Sequence, residues 1–199
     1  VDRLTFLSLG ADMNASVYRA DAQGRSSYFV KLKRGHKHDI GVRVVELLDA
    51  AGIKEIIPPI QTKHHQSTCQ IEDFTLVVYP YVKGEDGFSR SLSDAQWIKL
   101  GKTLRRIHEI DLPLLIKSEI RRETYSSKWR EMVRSLYSHI ESEPKSDDIA
   151  LKLSAFMKAN AATVDRLVNR AEQLASLVQS QSPQFVLCHT DIHGGNVLL

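Results

Sequence analysis

Apolar positions change their period along the chain. In the first third they alternate with polar ones over short runs, the two-residue period of strands. Residues 4–9 read as a strand meeting a turn at Gly10, Ala11, Asp12, Met13 and Asn14. Residues 16–20 resume a strand, and 21–25 carry the turn residues of a hairpin. A third strand over 27–33 puts Phe29 and Lys31 on one face and Tyr28, Val30 and Leu32 on the other. A helical period takes over at 39–51, with Val42, Val45, Leu47 and Leu48 inward and Gly52 placed to end it. Pro58 and Pro59 break the chain, and strands are expected at 60–63 and 74–79 with a hairpin turn between them.

Beyond residue 84 the period is helical. Ser93 and Gln96 form a capping box for a helix with Trp97, Leu100, Gly101, Leu104, Ile107 and His108 on one stripe. Residues 128–140 repeat the pattern with Trp129, Met132, Val133, Leu136 and Tyr137. Pro144 and the run Ser146, Asp147, Asp148 open a long helical region to about residue 180. Its inward positions are Leu153, Phe156, Met157, Val164, Leu167, Val168, Ala171, Leu174 and Val178. Pro183 closes it, and 184–188 reads as a strand. The fold class is therefore α+β: a β-rich lobe with one helix over 1–79, a hinge at 80–84, and a helical lobe over 85–199.

Composition adds mostly exclusions. The chain of 199 residues is 42% hydrophobic and 26% charged, as ordinary globular proteins are. A net charge of +3, without a basic run interleaved with aromatics, argues against nucleic acid as a partner. No apolar stretch approaches the roughly 20 residues of a membrane span. The two cysteines have neither metal nor disulfide spacing, and Cys188, ending an apolar run, is expected to be buried. A cytoplasmic setting fits these properties.

The chemistry concentrates at the end of the chain. His189-Thr190-Asp191-Ile192-His193-Gly194-Gly195-Asn196-Val197-Leu198 supplies a candidate base in Asp191 and, five residues on, a metal-ligating amide in Asn196. The two glycines between them allow a tight turn. Phosphoryl transfer needs this pairing: a carboxylate to orient the attacking hydroxyl and an oxygen ligand to hold Mg²⁺ on the phosphates. His-x-Asp-x-His could also begin a metallohydrolase site. However, His36, His38, His64 and His65 lie in polar segments, and no further cluster stands at ligand spacing.

The string resembles the catalytic loop of the aminoglycoside phosphotransferase and choline kinase group, which shares the protein-kinase fold. The resemblance implies a bilobal kinase-like architecture, ATP or GTP with Mg²⁺ as cofactors, and a cationic small-molecule acceptor. Asp191 would be catalytic, Asn196 a metal ligand and His189 a structural brace of the loop. Lys31 would hold the α and β phosphates and Glu46 would orient it, with Lys33 as the rival lysine and Asp39 and Asp49 as weaker acids. In the phosphate loop, aligning Val17 with the kinase valine puts Gly10, Asp12 and Ala15 at the three glycine positions, so only Gly10 is kept. Ser16 and backbone N–H groups remain to contact phosphate. Adenine would be read by backbone at Pro80 and Val82, where the donor missing from Pro80 implies some tolerance of guanine. His108 follows a pattern familiar in the group and is expected to be a hydrogen-bonded core residue.

Within the group, residues 79–88 and 121–130 look closest to the branch that phosphorylates spectinomycin, which implies a cationic aminocyclitol acceptor. Glu85 and Asp86 could contribute to its pocket, or be solvated turn residues. Other acceptors on the same fold (choline, homoserine, a sugar) and a nucleotide-binding protein without transfer activity are the alternatives. The group places a further Mg²⁺-binding Asp and much of the acceptor wall beyond the position of Leu199. A chain of this length is therefore expected to be poorly active.

Overall fold

The computed structural model describes residues 1–9, 13–22, 24, 27–35, 39–142 and 147–199. Gly10, Asp12, His36, His38, Pro144 and Ser146 lie outside the described residues. Contacts divide the chain into two compact units, Val1–Ile120 with Val186–Leu199, and Arg121–Phe185.

The first unit opens with β1 (Arg3–Leu7), β2 (Ala15–Asp21) and β3 (Tyr28–Arg34), followed by α1 (Ile40–Ala50), β4 (Cys69–Ile71) and β5 (Phe74–Pro80). The strands form one antiparallel sheet in the order β1-β2-β3-β5-β4. Lys31 pairs with Val17 on one side and Val77 on the other, so all three share a face. Those valines are buried, 8% and 3% exposed, which sets the lysine on an apolar floor. Phe29 lies on that same face, as the alternation predicts.

No strand forms at residues 60–63. Ile60 donates one hydrogen bond to the Val78 carbonyl, 2.7 Å. After it a local turn takes the backbone groups that a ladder would use. Thr62 bonds the Gln66 carbonyl through its N–H (2.8 Å), and its hydroxyl accepts from His64 and Gln66 (3.2 Å each). The edge strand is β4 instead.

The helix α1 begins at Asp39, whose carboxylate accepts from the Gly41 N–H (3.1 Å), and ends as the sequence predicts. Gly52 takes φ +82°; its N–H bonds the Asp49 carbonyl (2.9 Å), and the Ile53 N–H bonds that of Leu48 (3.0 Å). This paired closure brings Ile53 onto Leu48. Ile53 is 2% exposed, and with Leu48 and Ile107 it forms a core flanked by Val44, Ile56, Ile110 and Leu187. Burying a side chain of that size contributes about 1.5–3 kcal/mol.

Next comes α2 (Asp94–Glu109), opened by the capping box of Ser93 and Gln96, then α3 (Leu114–Glu119). The inward stripe of α2 is rotated from the predicted one. Thr103 and Ile107 are buried, Thr103 by returning its hydroxyl to the Lys99 carbonyl at 3.0 Å. Trp97 and His108 are exposed, so His108 is not a core histidine.

The second unit holds α4 (Lys128–Ser142), α5 (Asp148–Ala159) and α6 (Ala161–Ser180). The long helical region expected before residue 180 is helical, as two helices divided at Asn160. There the side chain and N–H turn back onto the Phe156 carbonyl at 2.8 and 3.1 Å. Tyr137 bonds the Met157 carbonyl (3.3 Å), and Arg134 pairs with Glu172 (2.6 Å). Three helices bury little more than a seam: Ile140, Met157, Val168 and Ala175. Trp129, Met132, Leu136, Leu153, Phe156, Leu167 and Leu174, expected inward, are exposed.

No helix among the described residues is long and apolar enough to cross a membrane. Residues 184–188 form no strand, and Cys188 is exposed rather than buried. From there the chain enters the segment that carries the candidate chemistry.

Candidate functional site

The last fourteen residues are tied to the segment following β5. Leu187 packs on the Leu48, Ile53 and Ile107 core. At the far end Asp86 and Leu198 form an antiparallel bridge, with Leu199 N–H on the Glu85 carbonyl (2.9 Å) and Glu85 N–H on the Leu199 carbonyl (3.3 Å). The Gly87 N–H reaches the carbonyls of Gly194 (2.9 Å) and Val197 (3.1 Å). Asp86 holds the partner strand in shape. Its Oδ1 accepts from the N–H groups of Ser89 (2.7 Å) and Phe88 (3.0 Å), and those bonds, Ser89's foremost, hold its carboxyl below the ordinary range.

The glycines of this region serve close approach. A Cβ on Gly84 would stand 2.7 Å from the Leu199 oxygen, and one on Gly194 would stand 2.8 Å from Phe88 Cδ1 and 2.9 Å from the Gly87 carbonyl carbon. Neither residue has a positive φ. The left-handed residue of the loop is Thr190, at φ +41°. There the chain doubles back, and the Asp191 N–H bonds the His189 carbonyl. His189 is exposed, and its only hydrogen bond among the described residues is that main-chain bond.

Asp191, exposed to solvent, faces Asn196 across this turn. The Asn196 amide nitrogen lies 2.9 Å from the Asp191 main-chain oxygen and 3.1 Å from its Oδ2. His193 stands beside both, with Nε2 3.0 Å from the Asn196 amide and 3.7 Å from Asp191 Oδ1. The predicted base and the predicted metal-ligating amide are thus in direct contact. A carboxylate open to solvent and held by an amide can accept the proton of an incoming hydroxyl.

The lysine face is organised differently from the expectation. Lys33 pairs with Asp39 at 3.4 Å. Glu46 accepts a hydrogen bond from the Ser67 hydroxyl. Among the described residues no ion pair joins Glu46 to Lys31. Tyr79, on the Lys31 face, has its phenol pushed above the usual range, first by burial and then by the charge of Asp39. Asp49 pairs with Lys54 at 2.7 Å. Ser16 lies on β2 opposite Leu32, on the face away from Lys31.

At the end of β5, Pro80 has no N–H to give, and the Tyr81 N–H is taken by the Ser27 carbonyl at 3.1 Å. Val82 is therefore the first residue of the segment whose N–H makes no hydrogen bond among the described residues. Arg19 lies over the Tyr81 ring, 4.7 Å from its centre, and reaches Asp21 at 2.8 Å.

Among the described residues no cluster of three His, Cys, Asp or Glu side chains could hold a metal. The Asp191 carboxylate and the Asn196 amide oxygen are nevertheless hard donors of the kind Mg²⁺ takes, and here the amide turns its nitrogen to the carboxylate. What the motif did not reveal is Phe88. Its ring stacks on His193 with centres 5.4 Å apart and planes at 14°. The spaced glycines at 84 and 87, beside those at 194 and 195, are the sequence signal of that contact.

Comparison with known proteins agrees with this geometry. The model of the phosphotransferase enzyme family matches residues 5–199. No curated protein matches the sequence. Among solved structures, the chain is similar to spectinomycin phosphotransferase APH(9)-Ia in complex with ADP and spectinomycin. The identity is 41% and the TM-score 0.87, over 98% of this chain and 59% of that one. For the AMP-bound complex of the same enzyme the values are 38% and 0.85, over 100% and 60%. An aminoglycoside phosphotransferase from Alicyclobacillus acidocaldarius shares the fold at 18% identity and a TM-score of 0.57, over 98% and 61%. The chain therefore spans about three fifths of the length of these proteins.

Proposed function

This chain belongs to the phosphotransferase enzyme family, and we propose that it is the nucleotide-binding and catalytic-loop portion of an ATP-dependent kinase for an aminocyclitol antibiotic, spectinomycin. The observation that carries the proposal is the contact of Asp191 with Asn196 on a loop held by Gly84, Gly87 and Gly194. The 41% identity to a spectinomycin phosphotransferase supports the choice of acceptor. Residues 1–79 would be the nucleotide lobe, 80–84 the hinge and 85–199 the helical lobe.

In this reading Asp191 accepts or orients the proton of the attacking hydroxyl, and Asn196 and Asp191 are the residues that would hold Mg²⁺. When bound, the ion would neutralise charge on the phosphates. Lys31 is favoured over Lys33 for the phosphates because Lys33 is already paired with Asp39. Glu46 would have to leave Ser67 to join Lys31. Val82, whose N–H makes no hydrogen bond among the described residues, would offer it to the base. Gly10 and the main chain at Ser16, whose side chain lies on the face away from Lys31, remain the proposed phosphate-loop contacts, and His189 the brace. The setting proposed is cytoplasmic, where ATP is available.

The test is acceptor-dependent ADP release by the complete protein with ATP and Mg²⁺, across spectinomycin, aminoglycosides, choline and homoserine. Release specific to spectinomycin is expected. Release with another acceptor would keep the kinase and overturn the substrate.

A further inference from the structure

We infer that Phe88 is an acceptor-binding residue, the open face of its ring seating a ring-shaped cationic substrate beside Asp191; the inference rests on the kinase reading above. Phe88 is 74% exposed, yet it is firmly held. Its N–H bonds Asp86 Oδ1 (3.0 Å), and the Gly87 N–H before it reaches the carbonyls of Gly194 (2.9 Å) and Val197 (3.1 Å). The ring stacks on His193 with centres 5.4 Å apart and planes at 14°. A Cβ on Gly194 would stand 2.8 Å from Phe88 Cδ1, and one on Gly195 would stand 3.0 Å from Phe88 Cε2. Those two carbons lie across the ring from each other, so the glycine backbone runs along its breadth. A residue so exposed does not have both ring faces covered. His193, Gly194 and Gly195 occupy one, and the other is open to solvent.

That face lies next to the candidate base. His193, on which Phe88 stacks, has Nε2 3.7 Å from Asp191 Oδ1, so one imidazole ring separates the phenyl from the carboxylate. The acceptor must bring a hydroxyl within about 2.6–3.2 Å of that carboxylate, and the rest of a ring-shaped molecule then extends over the neighbouring surface. The nucleotide is held in this reading by Lys31 and the Val82 N–H, which leaves Phe88 to the acceptor. A fixed aromatic face suits that substrate in two ways. It sheds water from a large apolar area without ordering a mobile side chain, and its negative quadrupole attracts a protonated amine lying over it. Exposed apolar side chains are ordinary on protein surfaces, but one fixed by two glycines and a carboxylate beside the candidate base is not. A phenyl that only braced the loop would gain nothing from a face left in water.

The test uses the complete protein and sets steady-state kinetics with ATP and spectinomycin beside calorimetric binding of spectinomycin. Phe88→Leu keeps an apolar side chain and removes the π face. It is expected to raise KM and Kd for spectinomycin about 3–30-fold, the range of a cation–π contact, with KM for ATP unchanged and kcat changed less than KM. Phe88→Tyr, which keeps the face, is expected to stay within about 2-fold of wild type. Because the ring is mostly in water, the melting temperature of Phe88→Leu is expected to stay close to that of wild type; a collapse of it would make the ring structural and overturn the inference. Unchanged KM and Kd for spectinomycin in Phe88→Leu also overturn it. So does a rise in KM for ATP in place of the acceptor's, a fall in kcat alone, or a loss in Phe88→Tyr equal to that in Phe88→Leu. A protein that binds spectinomycin through Phe88 yet releases no ADP with any acceptor would instead overturn the kinase reading and leave the binding role standing.

Discussion

Asn196 turns its side-chain amide onto Asp191, meeting the main-chain oxygen at 2.9 Å and the carboxylate at 3.1 Å. Five residues apart in sequence, the two are held as a unit by a turn that carries one left-handed residue and two glycines. The amide that would hold a metal ion therefore also fixes the carboxylate that would receive a proton.

Removing that amide should cost the chemistry more than the binding. Asn196→Ala is expected to lower kcat about 10²–10³-fold, as losing one preorganised polar group commonly does, and to raise the Mg²⁺ concentration needed for half-maximal rate. A Mg²⁺ titration of the variant checks this; an unchanged titration midpoint would contradict the role of Asn196.

Gly194→Ala would push a methyl to within 2.9 Å of Gly87 backbone and 2.8 Å of the Phe88 ring. Overpacking of this kind costs about 1–3 kcal/mol. We expect a lower melting temperature together with a loss of turnover. A variant with wild-type stability and rate would show that the two segments do not stay in contact.

Gly52→Ala tests the end of α1. At φ +82° a Cβ costs about 1–2 kcal/mol, and the strain falls on the closure that seats Ile53 in the core. Chemical denaturation should report a destabilisation of that size with little change in kcat, since no candidate site residue is touched.

Asp21 gives the acid limb a specific origin. The Ser27 hydroxyl at 2.5 Å and then Arg19 hold its carboxyl below the ordinary carboxylate value of 3.8. A carboxyl lowered by folding contributes stability above its unfolded value and loses it as pH falls through its folded value. Asp21→Asn should therefore flatten the fall in stability below about pH 4, measured by melting temperature against pH. An unchanged acid limb would show that Asp21 contributes nothing to it.

The alternation that set Lys31 beside Phe29 was legible because strand period is strict, and the end of α1 because Gly52 is the residue that a left-handed closure needs. The edge strand β4 was not legible. It has three residues, all exposed, so no buried face imprinted a pattern on it. Asn160 could have marked the break between α5 and α6, since asparagine turns its side chain back on the preceding carbonyls, but the apolar period continues through it. In the site, the motif identified Asp191 and Asn196. It could not supply the Phe88 stack or the partnering of Glu46 by Ser67, which depend on residues distant in sequence and brought together only by the fold.

The central claim is that Asp191 performs chemistry on a nucleotide held elsewhere. The most direct test is Asp191→Ala in the complete protein, with turnover on ATP and spectinomycin measured beside the equilibrium Kd for ATP. The account predicts a kcat reduced by about 10²–10⁴-fold with Kd essentially unchanged. Turnover that survives the substitution would contradict it.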